Sequence, residues 1–390
     1  MASELVKETA LELAAAGGGL PAYIYDLPAL RSHAEIVKTA MAGTGTELFY
    51  AAKANPAPEL LTVLDPFVAG YEVASGGELA HVREAQPDAR IAFGGPGKTD
   101  HELHQALTLG ADRLHVESPH ELTRLLKLAD GADVEILLRA NLDLTIADAV
   151  LSMSGPFGMD EAGLLDCLDI AKGAPGISIR GIHTHLASGL SATAMLQLAD
   201  QITGWSRPWL QENLPDLERP EIVLGGGMAV DYASPDRHFD WPTYGSGLAE
   251  RQQNGSTSGV QLRIEPGRAI TVYCGYYVTD VLDVKWTRGQ AFAILRGGTH
   301  HLRTPATKGH SQPFTVIHRD RGGPEISSDA ATLVGQLCTP KDLLAQGAVE
   351  SLGVGDLVAF SMAGAYAWNI SHHDFLMHPK PSFHYLDHPA

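Results

Sequence analysis

The chain has 390 residues, of which 44% are hydrophobic and 19% charged, the composition of an ordinary globular protein long enough for two or three domains; a disordered or collagen-like chain is excluded. Its 28 Lys and Arg stand against 46 Asp and Glu, a formal net charge of −18 that repels phosphate backbones and anionic headgroups, so neither a nucleic acid nor a membrane is an expected partner. Three widely spaced cysteines, Cys167, Cys274 and Cys338, argue against a disulfide framework or a zinc ribbon and fit a cytoplasmic protein, and no apolar run approaches the roughly 20 residues of a membrane span.

In chain order, residues 1–30 form an N-terminal segment in which Glu4, Glu8 and Glu12 interrupt any signal-peptide core, and which is expected to pack on a later β domain. From residue 46 onward short apolar runs alternate with helical patterns. The runs are Leu48–Lys53, Gly70–Ala74, Arg90–Phe93, Arg113–Val116, Val134–Arg139, Ile179–His185, Glu221–Leu224 and Val260–Glu265. Eight βα repeats in about 220 residues have the size of a (β/α)8 barrel and exceed the usual strand number of a doubly wound sheet, so residues 31–265 are expected to fold as an α/β TIM barrel. Beyond Pro266 the runs become strand-like, at Ile270–Trp286, Ala291–Leu295, Phe314–Ile317, Ala331–Leu337 and Leu357–Ser361, and residues 266–390 are expected to form an all-β domain, a sandwich or barrel. The segments Gln252–Gly259 and Arg319–Ser328 are polar and glycine-rich and read as mobile loops.

A barrel presents its chemistry at the C-terminal ends of its strands. Lys53 closes the first run in FYAAKAN, where burial would depress its pKa and leave a nucleophilic amine; a lysine opening a solvated loop fits the same residues. His183 and His185 in GIHTHLASG lie two apart on a strand and share a face. No third ligand is coupled to them in sequence, so ring stacking or core hydrogen bonding is expected and a metal is not. Gly225, Gly226 and Gly227 offer backbone amides that suit a phosphate, or simply a turn. Glu265 and Arg268 in EPGR suit a heteroaromatic nitrogen and a phosphate, or a salt bridge.

Taken together, FYAAKAN, YEVASGGEL, HVES, GPFG, HTHLASG, LGGG, EPGR, the cysteine of VGQLCTP and AGAYAW arrive in an order that resembles the fold-type III pyridoxal-phosphate decarboxylases, the family of ornithine and diaminopimelate decarboxylases, from about residue 20 to the end. The resemblance implies a barrel followed by a β domain, pyridoxal 5'-phosphate as cofactor and a homodimer with shared active sites. It makes Lys53 the Schiff-base lysine and His185 the ring that stacks on the cofactor. Ser188, Gly225 to Gly227, Arg268 and Tyr366 become phosphate ligands, Glu265 the acid at the pyridine nitrogen, and Cys338 the partner-donated thiol that returns a proton to the α-carbon. An acid at the pyridine nitrogen keeps the ring protonated, which favours decarboxylase over the related alanine racemases.

The family's acidic residue after the cysteine is missing, since Thr339, Pro340 and Lys341 follow Cys338. A distal ammonium would then lie unpaired unless Asp342 replaces the acid, so a simple basic amino acid is a poor substrate. The segment Arg296–His310 instead carries Arg296, His300, His301, Arg303, Lys308 and His310, cations suited to carboxylates, although a solvated basic loop has the same composition. GTHHLRTPA, LCTP and AGAYAWNISHHDFLMHP resemble the siderophore branch of the family, whose substrate is citrate-conjugated, such as citryl-diaminopropionate; Arg303, His301, Thr339 and Asp342 are then candidate substrate contacts. The alternatives are a diaminopimelate, ornithine, lysine or arginine decarboxylase, and a non-catalytic pyridoxal-phosphate carrier. His372 and His373, in the same tail, are as well suited to the surface as to the substrate.

Overall fold

The turns after the early strands carry the residues that start the next helices. Ser75, Thr99, Ser118, Asp160 and Ser191 each accept a backbone N–H from the first turn that follows, and Thr99 with Glu102 completes a reciprocal capping box. In the computed structural model, which describes residues 2–144, 151–152, 155–305, 309–320 and 322–387, the capped helices are separated by short strands. The strands are β1 Ala22–Asp26, β2 Thr46–Ala51, β3 Gly70–Val73, β4 Ile91–Phe93, β5 Arg113–Val116, β6 Val134–Arg139, β7 Leu151–Ser152, β8 Ile177–His183, β9 Ala187–Ser188, β10 Glu221–Val223 and β11 Gln261–Ile264. Among the described residues, eight of them, β2 to β6, β8, β10 and β11, form a closed parallel barrel in which Leu262 pairs with Thr46 to join the last strand to the first. The eight apolar runs are these eight strands, because a strand buried on both faces reads as continuous apolar sequence.

The chain divides into two compact units. One holds residues 32–230 and 239–270 and contains the barrel. The other gathers residues 1–31, 231–238 and 271–390. Its strands are β1 together with β12 Gly275–Thr287, β13 Gln290–Leu295, β14 Phe314–Ile317, β15 Glu325–Val334, β16 Leu343–Gly353, β17 Leu357–Phe360 and β18 Ser382–Leu386. The thirteen residues of β12 connect the sheet, pairing antiparallel with β1, β13 and β17. Within this unit helix α1, Glu4–Ala16, buries Val6 and Ala10 in a cluster with Ile24, Val278, Ile317 and Leu357.

Three expectations change here. Strand β15 begins at Glu325, inside the stretch read as a loop, and pairs with β16, which the sequence hid behind Gln346, Gly347 and Glu350. The run from Ile270 opens instead with a helical turn, Arg268–Thr271, before β12. The five-residue β18 adds parallel to β1 and carried too short a pattern to read.

Candidate active site

Strand β2 ends at Ala51, and the next three residues form a single tight turn whose alanines, Ala52 and Ala54, are buried on either side of Lys53. The Lys53 side chain keeps 41% of its surface, and its Nζ donates to both oxygens of Glu72, on β3, at 2.8 and 3.0 Å. Burial was expected to activate this lysine. The side chain is instead half exposed and ion-paired with a carboxylate. Glu72 is buried, and that burial raises its carboxyl above the usual range while the Lys53 charge pulls it back.

His185 follows the end of β8, and its Nδ1 accepts the backbone N–H of Gly226 at 3.3 Å, which leaves the ring proton on Nε2. Burial, helped by the Lys53 and Arg139 charges, lowers its pKa to about 3, so the imidazole is neutral. The three glycines that meet it are a close-packed seam. A Cβ on Gly225 would lie 2.7 Å from the Thr184 oxygen, on Gly226 2.4 Å from the Glu265 oxygen, and on Gly227 2.3 Å from the Ala187 oxygen, with positive φ at Gly225 and Gly227. No side chain fits, which leaves the backbone of the seam uncovered beside Ser188 at the end of β9, with the Gly226 N–H already given to His185. Arg268 opens the short helical turn that follows Glu265 and Gly267.

Glu265 is buried one residue past β11. Its Oε2 accepts from His183 Nε2 at 3.1 Å, whereas Oε1 is buried with no hydrogen-bond partner among the described residues. His183 stacks on His115, from β5, with ring centroids 4.0 Å apart, and His115 Nε2 stands 4.0 Å from Glu265 Oε1. Desolvation pushes the pKa of both imidazoles well down. His115, His183 and Glu265 place ligand atoms within 4.8 Å of one another, a metal-like grouping that excludes His185. An ionised Glu265 carboxylate only accepts, so the His183–Glu265 hydrogen bond requires the ring proton on Nε2. Arg139, at the end of β6, is ion-paired with buried Glu117, whose other oxygen accepts from Gly158 N at 2.8 Å and so fixes the GPFG loop.

A bare glycine cradle, an unmet carboxylate oxygen, a neutral imidazole and an accessible amine within one barrel mouth fit the phosphate, ring nitrogen, ring face and aldehyde carbon of pyridoxal phosphate. The barrel unit thus contains Lys53, His185, Ser188, Gly225 to Gly227, Glu265 and Arg268. Glu72, His115, Glu117 and Arg139 also belong to the candidate site and were not singled out in the sequence, although Arg139 ends β6, Glu117 directly follows β5, and Glu72 and His115 are the penultimate residues of β3 and β5.

The second unit carries the other candidates. Cys338 is exposed, in a turn held by Thr339 N donating to the Leu337 oxygen at 2.9 Å; Thr339 Oγ1 accepts from Lys341 N at 3.3 Å. Asp342 was expected to meet a substrate ammonium, and the structure corrects this. Its carboxylate is buried and accepts from Thr299 N at 2.6 Å, Thr299 Oγ1 at 2.9 Å and Leu337 N at 2.8 Å, which ties two loops together. His301 is likewise committed, its Nδ1 paired with Tyr277 Oη at 3.0 Å and its Nε2 with the Pro379 oxygen at 3.0 Å, so it is a core residue and not a substrate contact.

The cationic segment does not act as one cluster. Arg296 forms a double ion pair with Asp280 at 2.7 and 2.8 Å, His300 is buried, and His310 packs at a tilt against Tyr232. Lys308 lies outside the described residues. Arg303 remains exposed, its backbone N–H bound to Ser371 Oγ at 3.1 Å. His373 stacks on Trp368 at 3.6 Å, while the Arg303 charge adds to desolvation in lowering the pKa of His372. Tyr366 holds a left-handed conformation, φ +47°, and its carbonyl accepts from Thr304 Oγ1.

Residues 27–272 match the family model for the pyridoxal-dependent decarboxylase, pyridoxal binding domain. The chain is 39% identical over 377 residues, 93% of each protein, to a 2-[(L-alanin-3-ylcarbamoyl)methyl]-2-hydroxybutanedioate decarboxylase of Staphylococcus aureus. It is 30% identical over 362 residues to the diaminopimelate decarboxylase of Vibrio cholerae, covering 90% of this chain and 84% of that one. In fold it is similar to diaminopimelate decarboxylase from Helicobacter pylori complexed with L-lysine, with a TM-score of 0.84 at 24% identity over 97% of this chain and 94% of that one.

Proposed function

The chain belongs to the pyridoxal-dependent decarboxylases, and from that premise we propose that it removes the α-carboxyl group from an amino acid joined through its side chain to citrate, the substrate class named for its Staphylococcus aureus relative. Bound pyridoxal phosphate supplies the electron sink that accepts the pair left on the α-carbon when carbon dioxide departs. Lys53 is the amine that bonds the cofactor, and Glu72 holds that amine in place until it does so. The neutral His185 ring presents a flat face without setting a second positive charge against a protonated pyridine. The amides of Gly225 and Gly227, with Ser188 and Arg268, would hold the phosphate, and the Gly226 N–H fixes the His185 ring. Glu265 Oε1, buried with no partner among the described residues, would accept the pyridine N–H, and Cys338 would return a proton to the α-carbon.

Cys338 is exposed on its own chain, which suits delivery to a partner's barrel in a homodimer. All three cysteines are unpaired, and among the described residues no helix is long and apolar enough to cross a membrane; both suit a cytoplasmic enzyme.

One observation carries the substrate reading. Asp342, the nearest acid after Cys338 in sequence, has spent its carboxylate on Thr299 and Leu337, so it leaves no acceptor for a distal ammonium, while Arg303 stands exposed and suited to a carboxylate. The test is carbon dioxide release by cofactor-loaded protein and its Cys338→Ala variant, given citryl-diaminopropionate, diaminopimelate, ornithine, lysine and arginine separately. Release from the citrate conjugate, lowered about 10²- to 10⁴-fold in the variant, is the expected result. Release from a free diamino acid with none from the conjugate would overturn the substrate class, and undiminished turnover in the variant would remove Cys338 from its role.

A further inference from the structure

We propose that His183, backed by His115, is a positioning residue that binds one oxygen of Glu265 and thereby reserves the other for the pyridine nitrogen of the cofactor. The inference rests on the reading of Glu265 given above and adds two residues to it. Its basis is an asymmetry within one carboxylate: Oε2 accepts from His183 Nε2 at 3.1 Å, while Oε1 is buried and unmet among the described residues. A buried acceptor without a donor is costly, the more so when charged, so a carboxylate left to itself would rotate or protonate to avoid it. The His183 bond fixes that rotation.

The imidazole is suited to this because it donates without adding charge. An ionised carboxylate only accepts, so His183 must carry its proton on Nε2; its Nδ1 is then a bare acceptor and lies buried with no partner among the described residues. A cation in that place would compete with the pyridinium for the same carboxylate. Burial and the surrounding positive groups, Arg139 first, keep the ring neutral. His115 supplies the backing. It is fully buried, neither of its ring nitrogens has a hydrogen-bond partner among the described residues, and its ring lies over His183 at 4.0 Å with planes 26° apart. Two polar rings buried without their full set of hydrogen bonds do less for stability than apolar side chains of the same size would. Their orientation about Glu265 is what they contribute.

The experiment compares cofactor-loaded wild type with Glu265→Gln, His183→Leu, His183→Gln and the double variant His183→Leu/Glu265→Gln, reading the visible absorption band of the bound cofactor and its dissociation constant. Glu265→Gln is expected to move the band and weaken retention about tenfold or more, the worth of a hydrogen bond to a charged group. His183→Leu should move both in the same direction by less, His183→Gln, whose amide also donates, should recover them, and the double variant should match Glu265→Gln alone. Wild-type values in His183→Leu beside altered values in Glu265→Gln overturn the inference, as do fully additive effects in the double variant. Unaltered values in Glu265→Gln instead overturn the reading of Glu265 itself, and the inference with it. Should His183→Leu not fold, His115→Ala carries the test against His115→Phe, which keeps the ring. A shift in the first alone is expected, and a wild-type band in both overturns the proposal.

Discussion

At the N-terminal end of the barrel Arg113 reaches Glu221 with Nη2 at 2.6 Å and Nε at 3.0 Å, Arg263 bridges Glu221 and Glu47 at 3.3 and 3.1 Å, and Arg90 joins Glu47 to Asp112 at 2.6 and 3.1 Å. At the C-terminal end one Glu265 oxygen and both His115 nitrogens have no hydrogen-bond partner among the described residues, and the half-exposed Lys53 is paired with Glu72. The same strands carry both sets. At one end nearly every charge is answered by another side chain, with Arg263 Nη1 left over among the described residues; at the other the Lys53–Glu72 and Arg139–Glu117 pairs stand beside Glu265 Oε1 and two His115 nitrogens that have no hydrogen-bond partner among the described residues. Buried ionic groups whose partners are all present hold a structure together, and those whose partners are withheld await a ligand.

The sharpest way to break this contrast is Lys53→Arg. Arginine keeps a cation beside Glu72 but cannot bond a cofactor aldehyde, so turnover should fall to background while the free energy of denaturant unfolding moves by no more than about 1 kcal/mol. A large loss of stability would mean that the open end is structural after all. The reciprocal change is Glu221→Gln, which removes a carboxylate shared by Arg113 and Arg263. Unfolding free energy should drop by about 3–5 kcal/mol, with kcat per folded molecule unaltered. Lost turnover without lost stability would reverse the assignment of the two ends.

The smallest effect is in pH. His185 has a folded pKa of about 3 against an ordinary value of 6.5, so between those limits the unfolded chain takes up a proton that the folded one refuses, and stability rises with pH across that window. Denaturation of wild type and His185→Phe at pH 5 and pH 7 should show a shallower dependence in the variant. Equal slopes would place His185 in water.

Much of the barrel was legible because each of its strands is a short apolar run and many of the helices open on a cap, both local signals. The Lys53, Gly225 to Gly227 and Glu265 motifs stood at the ends of those runs and were legible for the same reason. The pairing of His115 with His183, and of both with Glu265, was not, since it joins strands β5, β8 and β11 across the barrel and no spacing encodes it. Asp342 misled in the opposite way. An acid near Cys338 suggests a substrate contact, but what captures it is the backbone N–H of Thr299 and of Leu337, which a sequence of side chains does not display. Strand β16 failed for a third reason, its alternation diluted by Gly347 and by polar residues facing solvent.

The ionic bridge from Arg263 to Glu47 spans 216 positions of chain, from the first barrel strand to the last. During synthesis the barrel therefore cannot settle early: until Gln261–Ile264 emerges, Glu47 and Glu221 lack one of their guanidinium partners and β2 lacks a neighbour at its open edge. A chain cut short before those four residues would hold most of the barrel's apolar surface without a way to close it, exposed to pairing with other chains or to proteolysis. Closure of the barrel thus waits on residues 261–264, late in the order of synthesis.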